Sequence, residues 1–79
     1  MELHIIYTET VMLLSKERFG SWPEIQDQYA EFKTSLGPWE HEAVVEYLVN
    51  EYSNLVPSAA SQVEALLVTK ARTCVLTFL

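Results

Sequence analysis

Glu40-His41-Glu42 is the densest run of potential metal ligands and acid–base groups in the chain, and Glu46 follows four residues after Glu42. A zinc-protease helix needs His-Glu-x-x-His, because two imidazoles one turn apart can reach the same ion. Val45 fills that position after His41, and the only other histidine, His4, is far away in sequence. The cluster therefore reads as the solvated first turn of a helix, and no metal or cofactor is expected. Cys74 as a nucleophile would need a nearby base in electropositive surroundings. Its spacing from Leu67 and Ala71 instead places it on an apolar stripe, as a small, inert core residue. Paired carboxylates can serve as acid and base when they flank a cleft, but these acids are expected on convex helix faces. Glycine-rich phosphate loops and Ser-His-Asp signatures are absent, so no catalytic residue is assigned and an enzyme is not the expected reading.

The chain has 79 residues, enough for one small domain spanning 1–79. A domain of that size removes only about 60 to 65 % of its unfolded surface from water, which leaves little room for a substrate pocket. Hydrophobic residues make up 49 % of it, with only two glycines, which is a globular profile and not that of a disordered tail. A single cysteine cannot form an internal disulfide, so a reducing, cytoplasmic setting is expected. Met1-Glu2-Leu3-His4 lacks the basic start of a signal peptide. The apolar stretch from Val63 is interrupted by Lys70 and Arg72, and it falls short of the about 20 apolar residues a membrane helix needs.

Net charge is −6 and unevenly placed. Between residues 20 and 64, Glu24, Asp27, Glu31, Glu40, Glu42, Glu46, Glu51 and Glu64 face a single base, Lys33. Such a field repels nucleic acid and membrane surfaces and attracts basic ones.

The elements expected to carry these residues are helices. In "SWPEIQDQYAEFKTSLG", Trp22, Ile25, Tyr29, Phe32 and Leu36 recur at alternating steps of three and four, the signature of one apolar stripe. Ser21 and Glu24 have capping-box spacing, Pro23 suits a first turn, and Gly37-Pro38 closes the segment. A second helix is expected from about Pro38 to Leu55, burying Val44, Val45, Leu48, Val49, Tyr52 and Leu55. A third starts near Ser58 or Ser61 and carries Ala60, Val63, Leu67, Ala71, Cys74 and Phe78 on one stripe, although "TCVLTFL" also favours a strand. The first segment, "LHIIYTETVMLL", alternates tolerably as a strand. Without glycine or hairpin turn chemistry it reads as a helix, with Leu3, Ile6, Tyr7, Leu13 and Leu14 inward. Short connections then favour an all-α compact bundle of three to four short helices. The alternative is an α+β fold with the N- and C-terminal segments paired as strands.

Two surfaces remain for binding. Glu24, Asp27, Glu31, Glu40, Glu42 and Glu46 form one expected acidic face, with Trp39 as an aromatic anchor, suited to a protein partner with a basic surface. Ile5, Met12 and Phe19, spaced by seven, would lie on the far side of a first helix and favour self-association as a homodimer. The expected function is that of a small acidic interaction protein, an inhibitor or adaptor that occludes a nucleic-acid-binding surface of a larger protein. By size and charge alone it belongs to the physical class of phage-encoded inhibitors such as anti-CRISPR proteins and DNA mimics. The alternative is a structural subunit or homodimerisation module whose acidity serves only solubility. Direct nucleic-acid or membrane binding is not expected.

Overall fold

The computed structural model describes residues 1–79, the side chain of Trp22 excepted. It is α+β, not the expected all-α helical bundle. In chain order the elements are β1 (Glu2–Thr8), β2 (Met12–Ser15), α1 (Trp22–Gln28), β3 (Phe32–Glu40), α2 (His41–Glu51), α3 (Ala59–Val68) and β4 (Thr73–Val75). The strands form one antiparallel sheet in the order β3-β1-β2-β4.

The first segment is a hairpin because both faces of the sheet are covered there. Leu3, Ile5, Met12 and Leu14 point to one face, against Val44 and Leu48 of α2 and Val63 and Leu66 of α3. Ile6 and Leu13 point to the other face, against Ile25 of α1. Burial on both faces turns alternation into a continuous apolar run, which periodicity alone cannot separate from a buried helix. The hairpin turn also carries no glycine. Thr8 closes it instead: its amide donates to Val11 O at 2.9 Å, and its hydroxyl oxygen accepts from the Val11 amide at 3.1 Å. A threonine hydroxyl standing in for backbone geometry is a weaker sequence signal than Asn-Gly.

The strongest expected helix is cut short. α1 ends at Gln28, where the Tyr29 amide still donates to Ile25 O. Glu31 then turns the chain at φ 65°, and Phe32 through Glu40 run as a strand beside β1. Two helical turns are marginal alone, and the edge of β1 offers Phe32 to Leu36 a ladder of backbone hydrogen bonds that an isolated helix cannot match in packing. The apolar stripe is thereby divided between two elements; the side chain of Trp22, its first expected member, lies outside the described residues. The expected cap is altered too. Ser21 makes no capping hydrogen bond, while Glu24 Oε2 accepts from the Gly20 amide at 2.7 Å. Gly37 does not close a helix either. It sits in β3 at φ 108°, where a Cβ would lie 2.7 Å from Leu3 O, so only glycine allows the strands to approach.

α2 begins at His41, three residues later than expected, and buries Val44 and Leu48 while Val49 stays 60 % exposed. α3 starts after Ser58, whose hydroxyl accepts from the Ser61 amide at 3.3 Å. Its helical stripe stops at Val68, and Cys74 belongs to β4, opposite Leu14. Thus the N- and C-terminal segments do pair as strands, as the α+β alternative held, through β2 and β4. Lys16 secures the end of α3: its Nζ donates to Leu66 O at 2.7 Å and Thr69 O at 2.8 Å, where free carbonyls favour a cation.

Candidate functional site

The most developed surface feature lies where β3 passes into α2. Trp39 is on β3 opposite Leu3, so its side chain falls on the α2 face of the sheet. Its ring meets Tyr47 of α2 edge to face, with centroids 5.4 Å apart at 63°. Tyr47 is fixed from below, since its hydroxyl lies 3.1 Å from that of Tyr7, which is 3.2 Å from that of Tyr52. Burial, then the hydrogen bonds to Tyr47 and Tyr52, push the Tyr7 phenol well above its ordinary value. The Tyr7 hydroxyl therefore stays protonated at neutral pH and ties Tyr47 to Tyr52 beneath the Trp39 ring. Beside it, Trp39, Ala43, Glu46, Tyr47 and Asn50 line a shallow groove of about 340 Å3.

The acids expected to share one face are not together. Glu40, Glu42 and Glu46 cluster at the start and outer side of α2. Glu24 and Asp27 lie on α1, across the sheet, and Glu31 is in the turn before β3. The single anionic patch is thus two patches, because α1 and α2 pack on opposite faces. Within the α2 patch, Glu40 Oε2 lies 3.1 Å from the amino group of Met1, and Glu42 Oε1 lies 3.8 Å from His41 Nδ1. No other ion pair exists among the described residues, so Lys33, Lys70 and Arg72 do not neutralise these acids.

Donor atoms of Glu40, His41 and Glu42 lie within 4.8 Å of one another. Three donors from consecutive residues, the two carboxylates exposed, could hold a divalent ion only weakly, and α2 supplies no second imidazole one turn on. Cys74 is half-buried; burial pushes its thiol up, opposed by a hydrogen bond with the Leu14 backbone, so it is a poor nucleophile.

The expected self-association stripe does not exist. Ile5 is 0 % and Met12 8 % exposed, both in the core, and Phe19 packs half-buried against His4, with ring centroids 5.1 Å apart. Spacing by seven collects residues on one side of a helix, but it splits them between elements once the segment is a hairpin. The exposed apolar surface is elsewhere: Val11, Val75 and Phe78 border one groove of about 360 Å3 beside the open edge of β4.

His4 was not singled out by its spacing. It is buried on the α1 face of β1, its Nδ1 has no hydrogen-bond partner, and it lines a cleft of about 660 Å3. Burial lowers its pKa, and Glu2 opposes that shift. A histidine inside the run Leu3-His4-Ile5-Ile6 was the available signal, since a strand buried on both faces must bury it. Among the described residues, no helix is long and apolar enough to cross a membrane. No family model matches the chain, and neither a curated protein nor a solved structure is significantly similar to it.

Proposed function

We propose that this chain is a small acidic interaction protein that docks on, and occludes, a basic surface of a larger protein, of the kind otherwise presented to nucleic acid. One observation carries the reading: a rigid Trp39–Tyr47 pair and the unpaired Glu46 carboxylate line the same groove, with Glu42 one turn away. A lysine or arginine of the partner can lay its aliphatic stem on the rings and bring its charge to Glu46. The carboxylates speed and orient the encounter, while the desolvated aromatic contact slows dissociation. A reducing cellular interior suits this role, as the lone cysteine suggests.

The test is a partner captured by affinity purification and identified by mass spectrometry, followed by binding measurements at several salt concentrations. Affinity should fall steeply as salt rises, because exposed charges are screened. Glu42→Lys with Glu46→Lys should weaken binding at low salt by at least about tenfold, and Trp39→Ala should mainly raise the dissociation rate. Unchanged affinity of the charge-reversed protein would remove the reading. The second reading, a homodimerisation module, is favoured by the apolar groove of Val11, Val75 and Phe78 at the β4 edge. Sedimentation equilibrium separates the two: a dimer broken by Val75→Asp and indifferent to charge reversal at Glu42 and Glu46 supports the second.

A further inference from the structure

On the α1 side of the sheet, away from the α2 groove, the 660 Å3 cleft separates two walls. The first wall is the start of β1 and the end of β3, carrying Met1, Glu2, His4, Pro38 and Glu40; the second is the segment after β2, carrying Arg18 and Phe19. Its volume is in the range of small-molecule sites, about 300–1,000 Å3.

The walls carry charges of both signs, of which Glu2 and Arg18 make no ion pair among the described residues. Glu2 and Glu40 are directly opposed across β1 and β3, a like-charge pairing that destabilises a sheet unless a cation relieves it. Glu40 is in part relieved by the Met1 amino group, which leaves Glu2 as the freer acceptor. Arg18 makes no ion pair among the described residues, so it does not reach across to either carboxylate. The neighbouring Lys16 is committed to the carbonyls at the end of α3, and Glu17 Oε1 accepts from Gln28 Nε2 at 2.8 Å.

His4 supplies an independent observation. It is only 7 % exposed, it lines this cleft, and its Nδ1 lacks a hydrogen-bond partner. Buried polar atoms are nearly always partnered in folded proteins, and an exception calls for an explanation. Its burial favours the neutral ring, so His4 adds a polar ring to the cleft wall without adding a positive charge. A simple anion entering here would meet Glu2 and Glu40, and a simple cation would meet Arg18. A molecule bearing both charges can set its ammonium against Glu2, the carboxylate that the Met1 amino group leaves free, and its carboxylate against Arg18.

We propose that this cleft binds a small zwitterion, a free amino acid or a close analogue. Its ammonium sits at Glu2 beside His4, its carboxylate pairs with the Arg18 guanidinium, and its apolar part lies against Phe19 and Pro38. This assignment is independent of the docking role of α2, because no residue lining the cleft also lines the Trp39–Tyr47 groove.

The test is a titration of the isotope-labelled chain with L-alanine, L-leucine and L-phenylalanine, read from the His4 and Phe19 ring resonances. At least one should shift both rings saturably. The amide of the best binder, which lacks the carboxylate charge, and its N-acetyl form, which lacks the ammonium, should each bind at least about tenfold more weakly, as loss of one charged hydrogen-bonding partner implies. Arg18→Ala and Glu2→Gln should each weaken the parent similarly; both side chains are exposed, so the variants should keep the unfolding transition of the original chain. The proposal is overturned if none of the three shifts these rings at millimolar concentration. It is equally overturned if a singly charged analogue binds as tightly as its parent, or if the two substitutions leave affinity unchanged.

Discussion

His4 is a residue whose chemistry depends on the strand that buries it. In the unfolded chain its ring takes up a proton near about pH 6.5. In the folded protein burial lowers that value, with Glu2 only partly opposing. As pH falls below about 6.5, the unfolded state gains the proton first, so stability is complete above that pH and declines toward the lower folded-state value. Urea denaturation at pH 7.5 and at pH 5 should therefore show a loss of stability that His4→Phe reduces. An equal loss in the variant would show that other groups cause it. Residue by residue, the sequence was legible where an element was placed correctly: Glu42 and Glu46 are exposed as their spacing in α2 implied. Glu24, also exposed, accepts from the Gly20 amide, one residue before the Ser21 amide that its capping-box spacing implied.

Among the elements, α3 shows how a short helix is tied to the rest of the chain. Gln62 is buried; its Nε2 donates to Pro57 O at 2.6 Å and Thr77 O at 3.1 Å, and its Oε1 accepts from the Thr77 amide at 2.9 Å. One side chain thus joins the entry to α3 with the segment after β4. Gln62→Ala leaves these backbone groups without that partner and should cost about 1–3 kcal/mol or more, measured as a lower urea midpoint with the same slope. A change below a few tenths of a kcal/mol, within the usual range of surface substitutions, would mean the network contributes little. The sequence marked the start of α3 through Ser58 and the buried side of α2 through Val44 and Leu48, because caps and helical stripes are local features. It misassigned Phe32 to Leu36, where helical spacing competes with pairing to a strand that begins far earlier in the chain, Phe32 opposite Thr8 and Leu36 opposite Ile5. Nothing within the segment itself could settle that competition.

At the scale of the whole molecule, β1 is the organising strand: it pairs with β2 on one side and β3 on the other, and Leu3, Ile5 and Ile6 are fully buried between the helical layers. Amides of Ile5 and Ile6 should exchange with solvent most slowly, near the rate set by global unfolding, while those of the three-residue edge strand β4 should exchange faster through local opening. Faster exchange in β1 than in β4 would contradict this hierarchy. The distribution of charge follows from the same layering, since the acids concentrated between residues 20 and 64 face two directions once α1 and α2 cover opposite sides of the sheet. The chain's composition by itself determined the anionic excess, the large apolar fraction and the outward face of α2, because these depend on residue type and short-range spacing. Only the tertiary structure decided that the first segment is a hairpin, that Ile5 and Met12 are core, and that His4, Glu2, Glu40 and Arg18 share a cleft. Those outcomes depend on long-range strand pairing and on which face of the sheet each helix covers, and neither is encoded in local periodicity.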